Sequence, residues 1–362
     1  MQNKTESSET VSYLITSDLH LSPSPLHEHR WDIFSVLVKA AQEGNTKYVI
    51  ITGDLTDRKL DHPASFVNRL VDKVAWLSNE LPGTGRQLII LKGNHDYHVD
   101  DEQPFFRFLR HLPRVRFINI PQFIDPNVYA IPHTRDMQQL GEAVGEGTVG
   151  YPLCVLHHTF TGAEFESGVR ATEDASVDDE IRTDSVYVSG DVHVPQTIRV
   201  GSGHVTYVGA PYHIRFGDRF NPRLLRATIA PGKPVELVSI PMSDVHVFPR
   251  LHKLSIPSST SYVDVKALIA KAGIGELDHV QVDIVIDSVI SDSRRVHGQV
   301  VNEINERKAL LHATRLVNPV TSVRVVRDFH RARPHDALTR FADYDQLEAR
   351  IKQAGLDILD EE

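Results

Sequence analysis

The chain has a single cysteine, Cys154, so no disulfide can close within it, and a reducing, cytoplasmic setting is expected. Long apolar runs are missing too. VIIT ending at Thr52 and LIIL ending at Leu91 fall far short of the roughly 20 residues a membrane helix needs, so no membrane association is expected. The opening MQNKTESSET has no apolar core of the kind a secretory signal carries, and residues 1–10 are expected to form a flexible tail. Positive charge is in deficit: 39 Lys and Arg face 48 Asp and Glu, a net charge of −9, so the molecule is no simple polycation. Any phosphate-rich partner needs a local positive field. There is no GxxxxGK[ST] phosphate loop, so ATP hydrolysis would have to come from another chain.

What is present is an ordinary globular balance, 41% hydrophobic and 24% charged, in a chain of 362 residues that allows two domains. The one oddity is 20 histidines. Short apolar segments typical of strands buried on both faces lie at 11–17, 47–52, 86–91, 153–157 and 186–190. Between the first three, residues 31–42 and 65–77 carry apolar side chains at helical spacing, which predicts an α/β domain over 11–240. β-rich pieces follow at QTIRV, HVTYVG and RLLRATIA. After the proline-bearing IPMSDVHVFP, residues 241–330 read as a small α+β unit: strand 250–255, helix 263–272, strand 279–286, helix 293–307 and strand 322–326. Residues 331–362 read as a helical tail that could dock a partner.

Metal-binding residue types sit where each predicted strand stops. The first strand runs into Asp18 and His20, the second into Gly53 and Asp54, the third into Asn94, His95 and Asp96, the fourth into His157 and His158, and the fifth into Asp191 and His193. Carboxyl ends of strands form the ligand-binding edge of parallel-rich α/β sheets, so five such ends are expected to converge. Oxygen and imidazole donors without cysteine favour Mn²⁺, Fe²⁺ or Zn²⁺, with Mg²⁺ also possible. Asp18, His20, Asp54, Asn94, His157, Asp191 and His193 outnumber the ligands of one tetrahedral ion and suggest two. A pair of divalent ions can polarise a phosphoryl oxygen and activate water, as phosphate-ester hydrolysis requires. From the residues alone, the His157–His158 pair leaves open which histidine is the ligand.

SDLH, GDLTD, GNHD, the strand-borne histidine and GDVH, in that order, resemble the calcineurin-like metallophosphoesterase superfamily over roughly residues 11–230. Gly209, Ala210 and Pro211, followed by Phe216 and Gly217, are similar to the turn that follows the last metal histidine in SbcD-type DNA-repair nucleases. The resemblance implies a two-sheet α/β/β/α sandwich with a smaller α+β capping domain. It further implies one Mn²⁺ held by Asp18, His20 and His193, a second held by Asn94, His157 and Asp191, and Asp54 bridging them. His95 would be the catalytic histidine, protonating or hydrogen-bonding the leaving oxygen, with Asp96 orienting it. The sequence departs from the family pattern twice. Asp191 replaces the first histidine of the usual Gly-His-x-His, which shifts preference toward harder ions, and Asp57 stands where many of these nucleases have a second histidine.

The same resemblance implies DNA as substrate and an SbcC-type ABC ATPase as partner, with the chain a homodimer inside a heterotetramer. Two arginine clusters could track phosphates: Arg107, Arg110, Arg114 and Arg116 among phenylalanines, and Arg215, Arg219, Arg223 and Arg226 after the nuclease-like turn. The expected activity is Mn²⁺-dependent phosphodiester hydrolysis on DNA, exonucleolytic or endonucleolytic. The competing readings are a small-molecule phosphodiesterase or phosphoprotein phosphatase on the same scaffold, and a non-catalytic DNA- or partner-binding scaffold.

Overall fold

Strands that are apolar on both faces need a covering layer on each side, and the chain supplies two sheets that cover one another. The computed structural model describes residues 10–317 except 45, 82–86, 99–102, 146–147, 173–176 and 286–289. In chain order the elements are β1 (Val11–Thr16), α1 (Ile33–Glu43), β2 (Tyr48–Ile51), α2 (Ala64–Glu80), β3 (Gln87–Leu91), β4 (Val115–Ile118), β5 (Gln122–Asp125) and β6 (Val128–Ile131). They continue with α3 (Met137–Gly145), β7 (Leu153–His157), β8 (Val186–Gly190), β9 (Gln196–Val200), β10 (Gly203–Tyr207), β11 (Arg223–Ile229) and β12 (Glu236–Pro241).

One six-stranded sheet has the order β12-β11-β1-β2-β3-β4, the other β5-β6-β7-β8-β10-β9. Each has a parallel run, β1 to β4 and β6-β7-β8-β10, with antiparallel strands β11 and β12 at one edge of the first sheet and β5 and β9 at the two edges of the second. Alternation along each strand assigns the layers. Tyr13, Ile15, Ile50, Ile89 and Leu91 point inward against Val128, Leu153, Val155 and Val188 of the second sheet. Leu14, Val49, Ile51, Leu88 and Ile90 point outward beneath α1 and α2. Cys154, Leu156 and Tyr187 lie under α3. This is the expected α/β/β/α sandwich.

The five strands that carry the motifs are therefore divided between two sheets, β1, β2 and β3 in one and β7 and β8 in the other. Their carboxyl ends meet at one rim of the sandwich, because the two parallel centres run their motif-bearing ends toward it. The three strands β4 to β6, four residues each, and β12 have no counterpart in the sequence reading. Single short runs such as VRFI and QFID carry too few apolar positions to reveal a strand.

A third sheet, β13 (Leu251–Pro257), β14 (His279–Val285) and β15 (Leu310–Val317), is covered by α4 (Tyr262–Lys271) and α5 (Ile290–Glu306). It has its own core of Ile256, Val265, Ile269, Val280, Val282, Val296 and Val300. The expected strand at 322–326 and the helical tail at 331–362 lie outside the described residues, as do residues 1–9 of the expected N-terminal tail. No helix among the described residues is long and apolar enough to cross a membrane.

Candidate metal centre

The loop after β1 continues to pair with the loop after β2. Asp18 N–H donates to the Gly53 carbonyl at 3.1 Å, His20 N–H to Asp54 at 3.0 Å and Leu21 N–H to Leu55 at 3.1 Å. This pairing holds two ligand-bearing turns in fixed register. Asp18, His20, Asp54 and Asp191 all have φ between 42° and 79°, a left-handed backbone that non-glycine residues rarely adopt. Such strain collects at functional sites and persists only where surrounding bonds fix it.

Glycine is needed beside these turns. A Cβ on Gly93 would lie 2.2 Å from the backbone nitrogen and Oδ1 of Asp54, and one on Gly53, at φ +113°, would lie 2.2 Å from His157 Nδ1. Gly93→Ala is expected to destabilise the protein by about 1–3 kcal/mol, the usual cost of overpacking, and to displace Asp54. A denaturant titration checks this, and an unchanged midpoint would contradict the close approach.

Asp18, His20 and His193 place ligand atoms within 4.8 Å of one another, as do Asp18, Asp54 and His157, and His20, Asp54 and His95. Asp54 faces both ways: its Oδ2 is 3.6 Å from His20 Nε2 and its Oδ1 3.4 Å from His157 Nε2. His20 and His193 bring their Nε2 atoms within 3.0 Å. Asp191 Oδ1 lies 3.7 Å from His157 Nε2 and accepts from Asn94 Nδ2 at 3.0 Å. All seven residues expected as ligands are thus brought together.

His157, not His158, faces this cluster. Its Nδ1 donates to the Thr52 carbonyl at 2.6 Å, which leaves Nε2 as the electron-pair donor. The His158 ring packs on Phe160 instead. Among the described residues, Asp18 Oδ2, Asn94 Oδ1 and His157 Nε2 are buried in the cluster without a hydrogen-bond partner, and so are the outward-facing Nδ1 atoms of His20 and His193, each beside a carboxylate of Asp57 or Glu166. Buried polar atoms are seldom left unpaired, and electron-pair donors such as the first three fit divalent cations.

Charge balance says the same. Burial pushes Asp54 up to about 7, although His157 opposes it. Burial opposes the charge on His157, but Asp54, Asp191 and Asp18 outweigh it and raise that histidine to about 9. Without cations these two groups hold more protons in the fold than when unfolded, where the corresponding values are 3.8 and 6.5, whereas burial keeps His20, His133 and His158 neutral in the fold. Above about pH 7, where the lowered histidines are neutral in both states, stability of the chelated protein is expected to fall as pH rises toward about 9, and added Mn²⁺ to restore it by replacing the protons on Asp54 and His157. Melting curves in chelator at about pH 7 and 9 test this; a higher melting point at the alkaline value would contradict it.

His95 is partly buried beside the cluster. Its backbone N–H donates to Asp54 Oδ1 at 2.8 Å, and its Nδ1 meets the Asp57 carbonyl at 2.9 Å. Asp96 does not orient the ring, contrary to expectation. Its two oxygens accept from the backbone N–H groups of Leu55, at 3.0 Å, and Gly93, at 2.7 Å, so it ties the second and third motif loops together. Adjacency in sequence misled here, because the turn sends the two side chains apart.

Three supporting residues escaped the sequence reading. Thr159 donates its hydroxyl to Asp191 Oδ2 at 2.6 Å. Glu166 forms an ion pair with His193. Arg30, 1% exposed, donates to the carbonyls of His20 at 2.7 Å and Ile214 at 2.9 Å, fastening the last loop to the first. Of these, only Thr159, beside the His157–His158 pair, offered any local cue, and Arg30 reads as a solvated helix residue.

The arginine clusters separate into two kinds. Arg215, Arg219 and Arg110 are exposed and Arg107 partly so, its Nη1 donating to Gln103 Oε1 at 2.9 Å. Arg114, Arg116, Arg223 and Arg226 donate instead to backbone carbonyls of Leu81, Ile124 and Phe123, Tyr207 and Val208, and Ala40. Phe106 and Phe117 belong to the core, whereas Phe105 and Phe108 are exposed.

The model of the calcineurin-like phosphoesterase family matches residues 11–206. No curated protein matches the sequence. Among solved structures, a Vps29 single mutant from Entamoeba histolytica is 12% identical with a TM-score of 0.29, covering 64% of this chain and 99% of that one. The nuclease MPE of Pseudomonas putida is 12% identical with a TM-score of 0.29, over 62% and 87%. Vacuolar Protein Sorting 29 of Cryptosporidium parvum is 11% identical with a TM-score of 0.29, over 64% and 98%.

Proposed function

The chain belongs to the calcineurin-like phosphoesterase family, and from that premise we propose that it is a Mn²⁺-dependent DNA nuclease of the SbcD type. The observation that carries the reading is the buried cluster in which Asp18, Asp54, His20, His95, His157 and His193 place ligand atoms in three groups of three, each within 4.8 Å, with Asp191 beside His157. On this reading Asp18, His20 and His193 would hold one ion and Asn94, His157 and Asp191 the other, with Asp54 a ligand shared between them. Divalent cations bound there supply Lewis acidity toward a phosphoryl oxygen and lower the pKa of water.

The protein's own groups do the rest. The Asp57 carbonyl accepts from His95 Nδ1–H, which holds the ring and leaves its Nε2 side to meet the leaving oxygen. Asp191, held by Thr159 and Asn94, contributes a hard oxygen where the family has a nitrogen, which favours manganese over zinc. Two ions bring four positive charges against the three of Asp18, Asp54 and Asp191, so the site can accept a phosphate.

Support for a nuclease within the family comes from the Gly-Ala-Pro turn. Ala210 N–H donates to the His193 carbonyl at 3.0 Å, and Tyr212 donates its hydroxyl to the Leu19 carbonyl, so the turn buttresses two ligand loops at once. It is followed by the exposed Arg215, whose charge acts on Glu166 beside His193, and by the exposed Arg219; on this reading these two, with Arg107 and Arg110, meet DNA phosphates. Partnership with an SbcC-type ATPase belongs to the same reading.

The test is degradation of single- and double-stranded DNA under Mn²⁺, alone and with the candidate ATPase. Manganese-dependent cleavage supports the reading. Hydrolysis of nucleotides or phosphopeptides with no action on DNA would contradict it.

A further inference from the structure

The loop between β7 and β8 closes into a hairpin. Gly162 N–H donates to Ala171 at 2.9 Å, Ala171 N–H to Ala163 at 2.8 Å, Phe165 N–H to Val169 at 2.9 Å and Gly168 N–H to Phe165 at 2.9 Å. Gln196, at the start of β9, clips it from the side. Its Oε1 accepts from Glu164 N–H at 2.9 Å and its Nε2 donates to the Glu164 carbonyl at 2.7 Å. Two residues further on, Glu166 turns its carboxylate inward, 13% exposed, onto Nδ1 of His193, 11% exposed. The other ring nitrogen of His193 is the one that faces His20 Nε2, on the metal side.

We propose that Glu166 is a positioning residue that fixes the ring plane and the tautomer of His193. The inference rests on the reading of this cluster as a metal centre. An imidazole ligand needs its proton on the nitrogen away from the ion, and a carboxylate accepting that proton holds the ring in place and strengthens the donor atom. His157 receives the same service from the Thr52 carbonyl. Among the described residues no carbonyl is recorded at His193 Nδ1, and a carboxylate from 27 positions upstream meets it on the hydrogen-bonded hairpin.

Glu166 also carries a charge that a carbonyl lacks. It makes the Asp18–His20–His193 side of the centre more negative than its neutral-histidine donors alone would, which raises its attraction for a cation. Arg215 lies close enough for its charge to act on Glu166, so the carboxylate sits between a metal ligand and a candidate phosphate contact. The sequence alone could not show this, since nothing in GAEFESG marks Glu166 apart from Glu164.

The experiment is Mn²⁺ titration of the full chain by calorimetry, with the electron paramagnetic resonance of the loaded protein as a second readout. Wild type is expected to bind two ions and give the signal of a coupled manganese pair. E166A is expected to weaken one of the two by about 10–100-fold, leave the other unchanged and replace the pair signal by that of an isolated ion. E166Q, which keeps an acceptor for Nδ1–H, is expected to recover part of that loss. Gln196→Ala, which loosens the hairpin and leaves Glu166 in place, is expected to shift the same ion in the same direction by less.

Equal weakening of both ions, or a lower melting point of the metal-free E166A protein with unchanged affinities, would mean a merely structural role and overturn the inference. Two tightly bound ions in E166A would overturn it as well. A wild type that binds no manganese would instead refute the metal-centre reading, so the two failures are distinct.

Discussion

His95→Asn is expected to slow phosphodiester cleavage by about 10²–10⁴-fold while leaving manganese binding and the fold intact. The reason is a division of labour within one residue. The backbone N–H of His95 supports Asp54, and Asn keeps that bond, whereas the imidazole serves the leaving group, and Asn cannot protonate it. Single-turnover cleavage of a DNA substrate against pH, beside a manganese titration, separates the two functions. The limb of the profile due to the histidine should vanish with the rate. An unimpaired rate would exclude His95 as the proton donor, and a lost ion would show that its ring is a ligand, as its closeness to His20 and Asp54 allows.

Asp54→Asn is expected to have the larger effect on metal. Asp54 takes part in two of the three ligand groupings and directs one oxygen toward each side of the centre. Losing an outer partner of a ligand typically costs 10–100-fold in affinity, so loss of this shared carboxylate should exceed about 100-fold and leave at most one ion bound. Activity should fall to background. Stability should move the other way. Because burial raises Asp54 to about 7, its ionised form is unfavourable in the metal-free protein above that pH, and the neutral amide removes that cost. In chelator at about pH 8 the variant is therefore expected to melt above wild type. Calorimetry and melting curves on the same samples check both directions, and a variant that keeps two ions would contradict the role assigned to Asp54.

The contrast with Asp96 explains what could be read from sequence and what could not. Strand-end positions were legible because a strand buried on both faces is a continuous apolar run, and its end is unmistakable at Thr16, Ile51, Leu91, His157 and Gly190. Residues that follow such ends share a rim by topology, so Asp18, Asp54, Asn94, His157 and Asp191 could be gathered without coordinates. Side-chain direction beyond the strand is set by turn geometry that leaves no apolar pattern, and there Asp96 serves the backbone while Asp57, through its carbonyl, serves His95.

Supporting contacts were illegible for another reason. Arg30 reaches His20 and Ile214, and Glu166 reaches His193, across separations that leave no periodic trace. The arginine clusters show the converse limit. A run such as Arg215, Arg219, Arg223 and Arg226 is uniform as sequence, yet the strand β11 turns its last two members to carbonyls and leaves the first two exposed. Short strands flanked by polar residues, β4 to β6, offered too few apolar positions to register.

Anomalous diffraction at the manganese edge from crystals grown with Mn²⁺ interrogates the centre itself. Two peaks per chain are predicted, one touching Asp18, His20 and His193, the other Asn94, His157 and Asp191, with Asp54 in contact with both. A chain with no peak among these residues, or with manganese bound only elsewhere, would contradict the account.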